Sequence, residues 1–269
     1  MVDLSGLHLL LTRPESQAKS SMLNFASAGA GITCHPFLII APLQEGAEVQ
    51  AAKSCLAKLD EYQKIIFVSQ NAVRYGIEWI DYSWPQLPIG LKFFAIGKTT
   101  ADQLQKLLSH LDASVRSPCQ AMNSEDLLTL PALQSISGEK ILIARGRGGR
   151  THLAEGLRAL GASVDYCELY QRQIPDTVDV EKLQKFRRSS ETSIAIVLSG
   201  ETLFNMRALL IKWSPEYWRW LKTQVLVVPG QRVAKLALQQ NFQVVLVAKS
   251  ATEDNITGAI NDWRQKTGQ

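Results

Sequence analysis

The stretch Lys140-Ile141-Leu142-Ile143-Ala144-Arg145-Gly146-Arg147-Gly148-Gly149-Arg150 constrains this chain more than any other. Ile141 to Ala144 has the length and β-branched content of a buried strand. It stops at Arg145 in a glycine-rich turn. Leu153, Leu157 and Leu160 then recur at helical spacing, Gly161 supplies a stop, and Ala162 to Tyr166 resumes as extended chain. The first residues follow the same order, with Leu9-Leu10-Leu11-Thr12-Arg13, a helical stretch, and Gly29-Ala30-Gly31-Ile32. Sixteen positions separate Arg13 from Gly29, and sixteen separate Arg145 from Gly161. A strand–Arg–helix–Gly–strand unit therefore occurs twice, and the rest of the chain is laid out around the two copies.

Between and beyond the copies, apolar runs alternate with helical stretches. Strands are expected near residues 65, 93, 114, 141 and 163, and near 194, 225 and 244, besides those near 9 and 33. Strands separated by helices imply parallel sheets with helices on both faces. Giving each body five strands works only if residues 1–35 complete the C-terminal sheet. The expected fold is α/β, with two doubly wound parallel-sheet domains, one inserted in the other. Residues 1–35 plus 174–269 form one domain and 44–165 the other. Two extended crossings, 36–43 and 166–173, make a hinge with a cleft between two lobes. Ile32–Ile40 is long for one strand, and Pro36 within it argues for an edge or a crossing.

Composition narrows the partners. The net charge of +4, from 29 basic and 25 acidic residues spread along the chain, leans toward an anionic ligand and falls short of a nucleic-acid footprint. Cys34, Cys55, Cys119 and Cys167 show no CxxC and no metal spacing, which fits a reduced, cytoplasmic protein. The Leu7–Leu11 run is too short for a membrane span and lacks the arrangement of a signal peptide.

In doubly wound sheets, ligands sit beyond the carboxyl ends of the strands. Those ends carry Arg13, Ser69, Asn71, Thr100, Arg145, Ser199 and Thr202, each next to a helix N-terminus that favours anions. The Arg145–Arg150 turn lacks both the Lys-Ser/Thr of a P-loop and GxGxxG spacing. It reads either as a contact to a polyanion or as a solvated basic turn. The serines and threonines read either as ligand contacts or as simple helix caps. His8, His35, His110 and His152 have no partners at catalytic or metal spacing and read as structural or surface residues. The aromatic stretch Trp213–Leu221 reads as an amphipathic helix against the core, and Tyr170 lies in a crossing that borders the cleft.

Leu-Thr-Arg-Pro at 11–14, Phe-Val-Ser-Gln-Asn-Ala-Val at 67–73 and Ala-Ile-Gly-Lys-Thr-Thr-Ala at 95–101 resemble the uroporphyrinogen-III synthase family. So do Ile-Ala-Arg-Gly-Arg-Gly-Gly-Arg at 143–150 and Tyr-Gln-Arg at 170–172. The resemblance runs the whole length of the chain and implies the same two-lobed fold. It implies conversion of the linear tetrapyrrole hydroxymethylbilane, handed over from hydroxymethylbilane synthase, to uroporphyrinogen III. Ring D is inverted, water is lost, and a monomer acts with no metal or organic cofactor, no nucleic acid and no membrane. The substrate hydroxyl leaves as water to give an azafulvene cation. The substituted carbon of ring D attacks it, and a spiro intermediate fragments and recombines. Much of the catalysis is then positioning.

Carried over by resemblance, the proton donor is Tyr170, since a phenol is protonated at neutral pH. The substrate-binding set is Arg13, Ser69, Asn71, Thr100, Arg145, Gly146, Arg150, Ser199, Thr202 and Arg232. Two departures stand out. Val68-Ser69 replaces the Thr-Ser of many members, and Pro229-Gly230-Gln231-Arg232-Val233 replaces Gly-x-Thr-Thr-Ala, so that Arg232 offers a charged contact there. The rival reading is a non-catalytic two-lobed binding module for a small polyanion. No helix-turn-helix signal precedes residue 40 to support a DNA-linked sensor.

Overall fold

The chain begins with strand β1 (Leu7–Leu11), helix α1 (Glu15–Ser27) and strand β2 (Gly31–Cys34). It then runs through β3 (Ile39–Pro42), α2 (Ala47–Ala57), β4 (Lys64–Phe67), α3 (Gln70–Ser83), β5 (Lys92–Ala95) and α4 (Lys98–Leu107). Next come β6 (Val115–Arg116), α5 (Ser124–Leu128), β7 (Lys140–Gly146), α6 (His152–Ala159) and β8 (Ser163–Gln173). It ends with α7 (Val180–Arg187), β9 (Thr192–Ile196), α8 (Gly200–Trp213), α9 (Pro215–Leu221), β10 (Val225–Val228), α10 (Gln231–Gln239), β11 (Val244–Val247) and α11 (Glu253–Thr267). This computed structural model describes residues 3–109, 114–118 and 123–268; His110 and Cys119 lie outside the described residues.

Two compact units result, Met1–Ile39 with Gln173–Gln269, and the inserted Ile40–Arg172. The first holds a parallel sheet in the order β11-β10-β9-β1-β2. Leu9 pairs with both Ile32 and Ile194, so the N-terminal strand sits inside the sheet built largely by the C-terminal third. The inserted unit holds the order β3-β8-β7-β4-β5-β6, with β4 to β8 paired in parallel.

Both sheets are covered on both faces, which is why their strands read as continuous apolar runs. Along β4, Ile65 and Phe67 enter one core cluster while Ile66 enters the opposite one. Along β1, Leu10 faces one cluster while Leu7, Leu9 and Leu11 face the other. Each such side chain contributes roughly 1.5–3 kcal/mol on burial.

Four expectations change on detail. The long run Ile32–Ile40 is two strands, β2 and β3, belonging to different sheets. His35 and Phe37 still follow β1, donating their N–H groups to Leu11 and Thr12, and Pro36 between them has none to give. The extended chain after Ala162 is one strand, β8, rather than a strand and a separate crossing. The inserted unit has six strands instead of five, because β3 lies beside β8 in its sheet. The aromatic stretch is divided between α8 and α9, with Tyr217 and Trp218 buried.

Candidate active site

In each unit the direction of winding reverses once. Between β4 and β7 the following helices diverge: α3 packs into the cluster on one face and α6 into the cluster on the other. Between β9 and β1 the same happens with α8 and α1. Crevices open at such reversals. In the inserted unit the carboxyl ends of β4 and β7 border a cleft of about 440 Å³, walled by Ser69, Tyr170, Arg172, Asn123, Ser124 and the turn Arg145–Arg150.

Tyr170 is held on every side. It is 3% exposed, and its Oη lies 2.9 Å from Ser69 Oγ. Its ring lies against Gly146 so closely that a Cβ there would stand 2.6 Å from two ring carbons. The Tyr75 ring is also close, with centroids 6.0 Å apart, and the Tyr170 carbonyl accepts from Arg147 N–H at 2.7 Å. A bulge aims the ring. Opposite Arg145 and Gly146, β8 presents Glu168 and then Tyr170, so Leu169 is the extra residue. Strict alternation would send Tyr170 to the Tyr166 face; with the bulge, Leu169 and Tyr170 share the cluster on the α3 side.

The basic turn is built around Arg145. Arg145 is only 5% exposed; its guanidinium donates from Nε to the Gly146 carbonyl (3.2 Å) and from Nη1 to the Arg150 carbonyl (3.3 Å), and stands 4.4 Å over the Tyr166 ring. Glu168 lies 3.7 Å from Arg145 Nε and accepts from Gly148 N–H at 3.2 Å. A Cβ at Gly149 would meet Arg145 Nη2 at 2.7 Å, so the loop wraps this cation closely. Arg147 pairs with Glu48 at 2.9 Å, while Arg150 is exposed on the cleft wall. Arginines outnumber carboxylates here, which suits an anionic ligand.

Of the residues expected from sequence, the cleft brings together Ser69, Arg145, Gly146, Arg150 and Tyr170. Asn71 and Thr100 lie outside its lining; Thr100 is buried on the inner side of α4 with Ala101 and Leu104. Arg13, Ser199, Thr202 and Arg232 belong to the other unit. Arg13 follows β1, donates to the Gln17 carbonyl at 3.3 Å, and is held below the usual arginine range by burial, with Glu253 acting in the opposite direction. Ser199 caps α8 through Thr202 N–H at 3.0 Å, and Arg232 is exposed on the first turn of α10.

His8 and His35 are buried and His152 is exposed near Glu125. Among the described residues no group of three or more His, Cys, Asp or Glu is arranged to hold a metal, and no helix is long and apolar enough to cross a membrane.

A family model described as uroporphyrinogen-III synthase HemD matches residues 22–258. The chain belongs to the uroporphyrinogen-III synthase family. Curated relatives named uroporphyrinogen-III synthase include that of Salmonella typhimurium, 33% identical over 254 residues, covering 94% of this chain and all of the relative. That of Escherichia coli K12 is 33% identical over 262 residues with the same coverage. The crystal structure of the Helicobacter pylori 26695 uroporphyrinogen-III synthetase shares the fold, with a TM-score of 0.57 at 12% identity, covering 98% of this chain and all of that one.

Sequence reasoning passed over Arg172 and the Asn123-Ser124 pair in the cleft wall, and Glu168, which holds the arginine turn. Glu168 was within reach: it stands two residues before Tyr170 in an extended run, opposite the arginine turn. Asn123 caps α5, its Oδ1 accepting from Asp126 N–H at 2.8 Å.

Proposed function

We propose that this chain catalyses cyclisation of hydroxymethylbilane to uroporphyrinogen III, with inversion of ring D and loss of water. It acts as a cytoplasmic monomer on substrate supplied by hydroxymethylbilane synthase. Family membership supports the reaction class. The observation that carries the site is the clamped Tyr170, its hydroxyl hydrogen-bonded to Ser69 in a cleft rimmed by arginines.

In this reading Tyr170 gives its Oη proton to the substrate hydroxyl. The C–O bond breaks with its electron pair on oxygen, water departs, and an azafulvene cation remains. The substituted carbon of ring D attacks, the spiro intermediate fragments and recombines, and the macrocycle sheds a ring proton that balances the one supplied. A cleft of this size takes the reacting end of the tetrapyrrole. Arg150 and Arg172 bind carboxylate arms there as charge-assisted partners, while Arg145 and Glu168 shape the turn that presents them.

The test is incubation with freshly generated hydroxymethylbilane followed by isomer analysis. Type III product in excess of the spontaneous type I isomer is expected. Type I alone would leave the chain a binder at most.

A further inference from the structure

The two units use the same helix cap with one difference. Ser69 Oγ accepts from Ala72 N–H at 3.0 Å, and Ser199 Oγ accepts from Thr202 N–H at 3.0 Å. At Ser199 a second hydroxyl closes the cap, because Thr202 Oγ1 stands 2.9 Å from Ser199 Oγ. At Ser69 the equivalent residue is Ala72, which has no hydroxyl, and the second partner is Tyr170 Oη at 2.9 Å. The cap at Ser69 thus leaves its hydroxyl to the Tyr170 phenol in the cleft wall.

We infer that Ser69 is a positioning residue for Tyr170 rather than a contact to the substrate's carboxylate arms, an inference that rests on the activity proposed above. A serine hydroxyl offers one hydrogen and two lone pairs. The Ala72 N–H occupies one lone pair and fixes the oxygen. Before reaction, the Tyr170 hydroxyl can donate to the other. As Tyr170 passes its proton to the departing hydroxyl, its oxygen becomes a charged acceptor, and the Ser69 hydrogen turns to face it. Ser69 keeps its own proton throughout; one O–H bond breaks on Tyr170 and one forms on the leaving water. The first turn of α3, behind Ser69, adds a field that favours the negative charge. Gly146 on the ring and the bulge at Leu169 leave Tyr170 little freedom to compensate if this partner is lost.

The experiment combines isomer-resolved kinetics of Ser69→Ala, Ser69→Thr, Tyr170→Phe and the Ser69→Ala/Tyr170→Phe double variant with fluorine NMR of fluorotyrosine-labelled protein. Ser69→Ala should lower kcat by about 10- to 100-fold, the worth of a hydrogen bond to a charged group, and leave KM nearly unchanged. Ser69→Thr should recover most of the rate. In the Tyr170→Phe background, Ser69→Ala should add almost nothing, since the two act as a unit. The Tyr170 fluorine signal, assigned by its loss in Tyr170→Phe, should shift in Ser69→Ala without substrate.

A raised KM with unchanged kcat, or losses that multiply in the double variant, would overturn the inference. Should the unmodified protein form no type III isomer, the proposed activity falls, and the fluorine signal still decides the pairing: an unshifted resonance in Ser69→Ala refutes it.

Discussion

Gly146→Ala isolates what the clamp around Tyr170 does. The new methyl would lie 2.6 Å from Cε2 and Cζ of the ring and 3.0 Å from its Oη. Non-bonded carbons rest about 3.5–4.0 Å apart, so the ring must retreat by about 1 Å. The 2.9 Å bond to Ser69 would then stretch out of hydrogen-bonding range. Overpacking of this kind costs about 1–3 kcal/mol of stability, and a misplacement near 1 Å costs about 10²-fold in rate. Gly148→Ala is the matched control. Its φ of +68° makes alanine strained by about 1–2 kcal/mol, yet no atom lies within 4 Å of the added carbon. Urea unfolding and isomer-resolved kinetics on both variants separate the effects. Similar stability losses with a much larger rate loss in Gly146→Ala are expected. Equal rate losses, or a folded Gly146→Ala protein with normal turnover, would refute the clamp.

Two further outcomes follow from the geometry. Arg150→Gln should raise KM by about tenfold with kcat held, the signature of a lost arm contact, measured from initial rates across substrate concentration. Burial pushes the His35 imidazole down to about 4, with Asp179 acting in the opposite direction, and its Nε2 accepts from Asp179 N–H at 3.2 Å. The unfolded chain therefore binds the proton more readily. Stability should be full above about pH 6.5, fall as pH drops toward 4, and lose about 3 kcal/mol in all. Unfolding at pH 7.5 and 5 should show that slope, and His35→Gln should flatten it.

The architecture was legible because parallel sheets covered on both faces leave continuous apolar strands, as at Ile65–Phe67 and Ile141–Ala144. The strands of the repeat, β1 and β7, each border a reversal of winding. What escaped was set by pairing rather than by pattern. The bulge at Leu169 leaves no mark in the sequence, and without it alternation turns Tyr170 to the wrong face. Arg145 reads as a ligand cation from its neighbours, whereas two of its donors go to the Gly146 and Arg150 carbonyls. The place of β3 beside β8 was hidden because Pro36 marks a break without saying which sheet receives the next strand.

Tyr170 as the acid is the claim on which the mechanism stands. Single-turnover formation of uroporphyrinogen III by Tyr170→Phe, which keeps the ring against Gly146 and removes only Oη, tests it most directly. Loss of a general acid should slow type III formation by roughly 10²–10⁴-fold in a protein whose unfolding is little changed. A folded Tyr170→Phe variant that forms the type III isomer at near-normal rate would contradict the account.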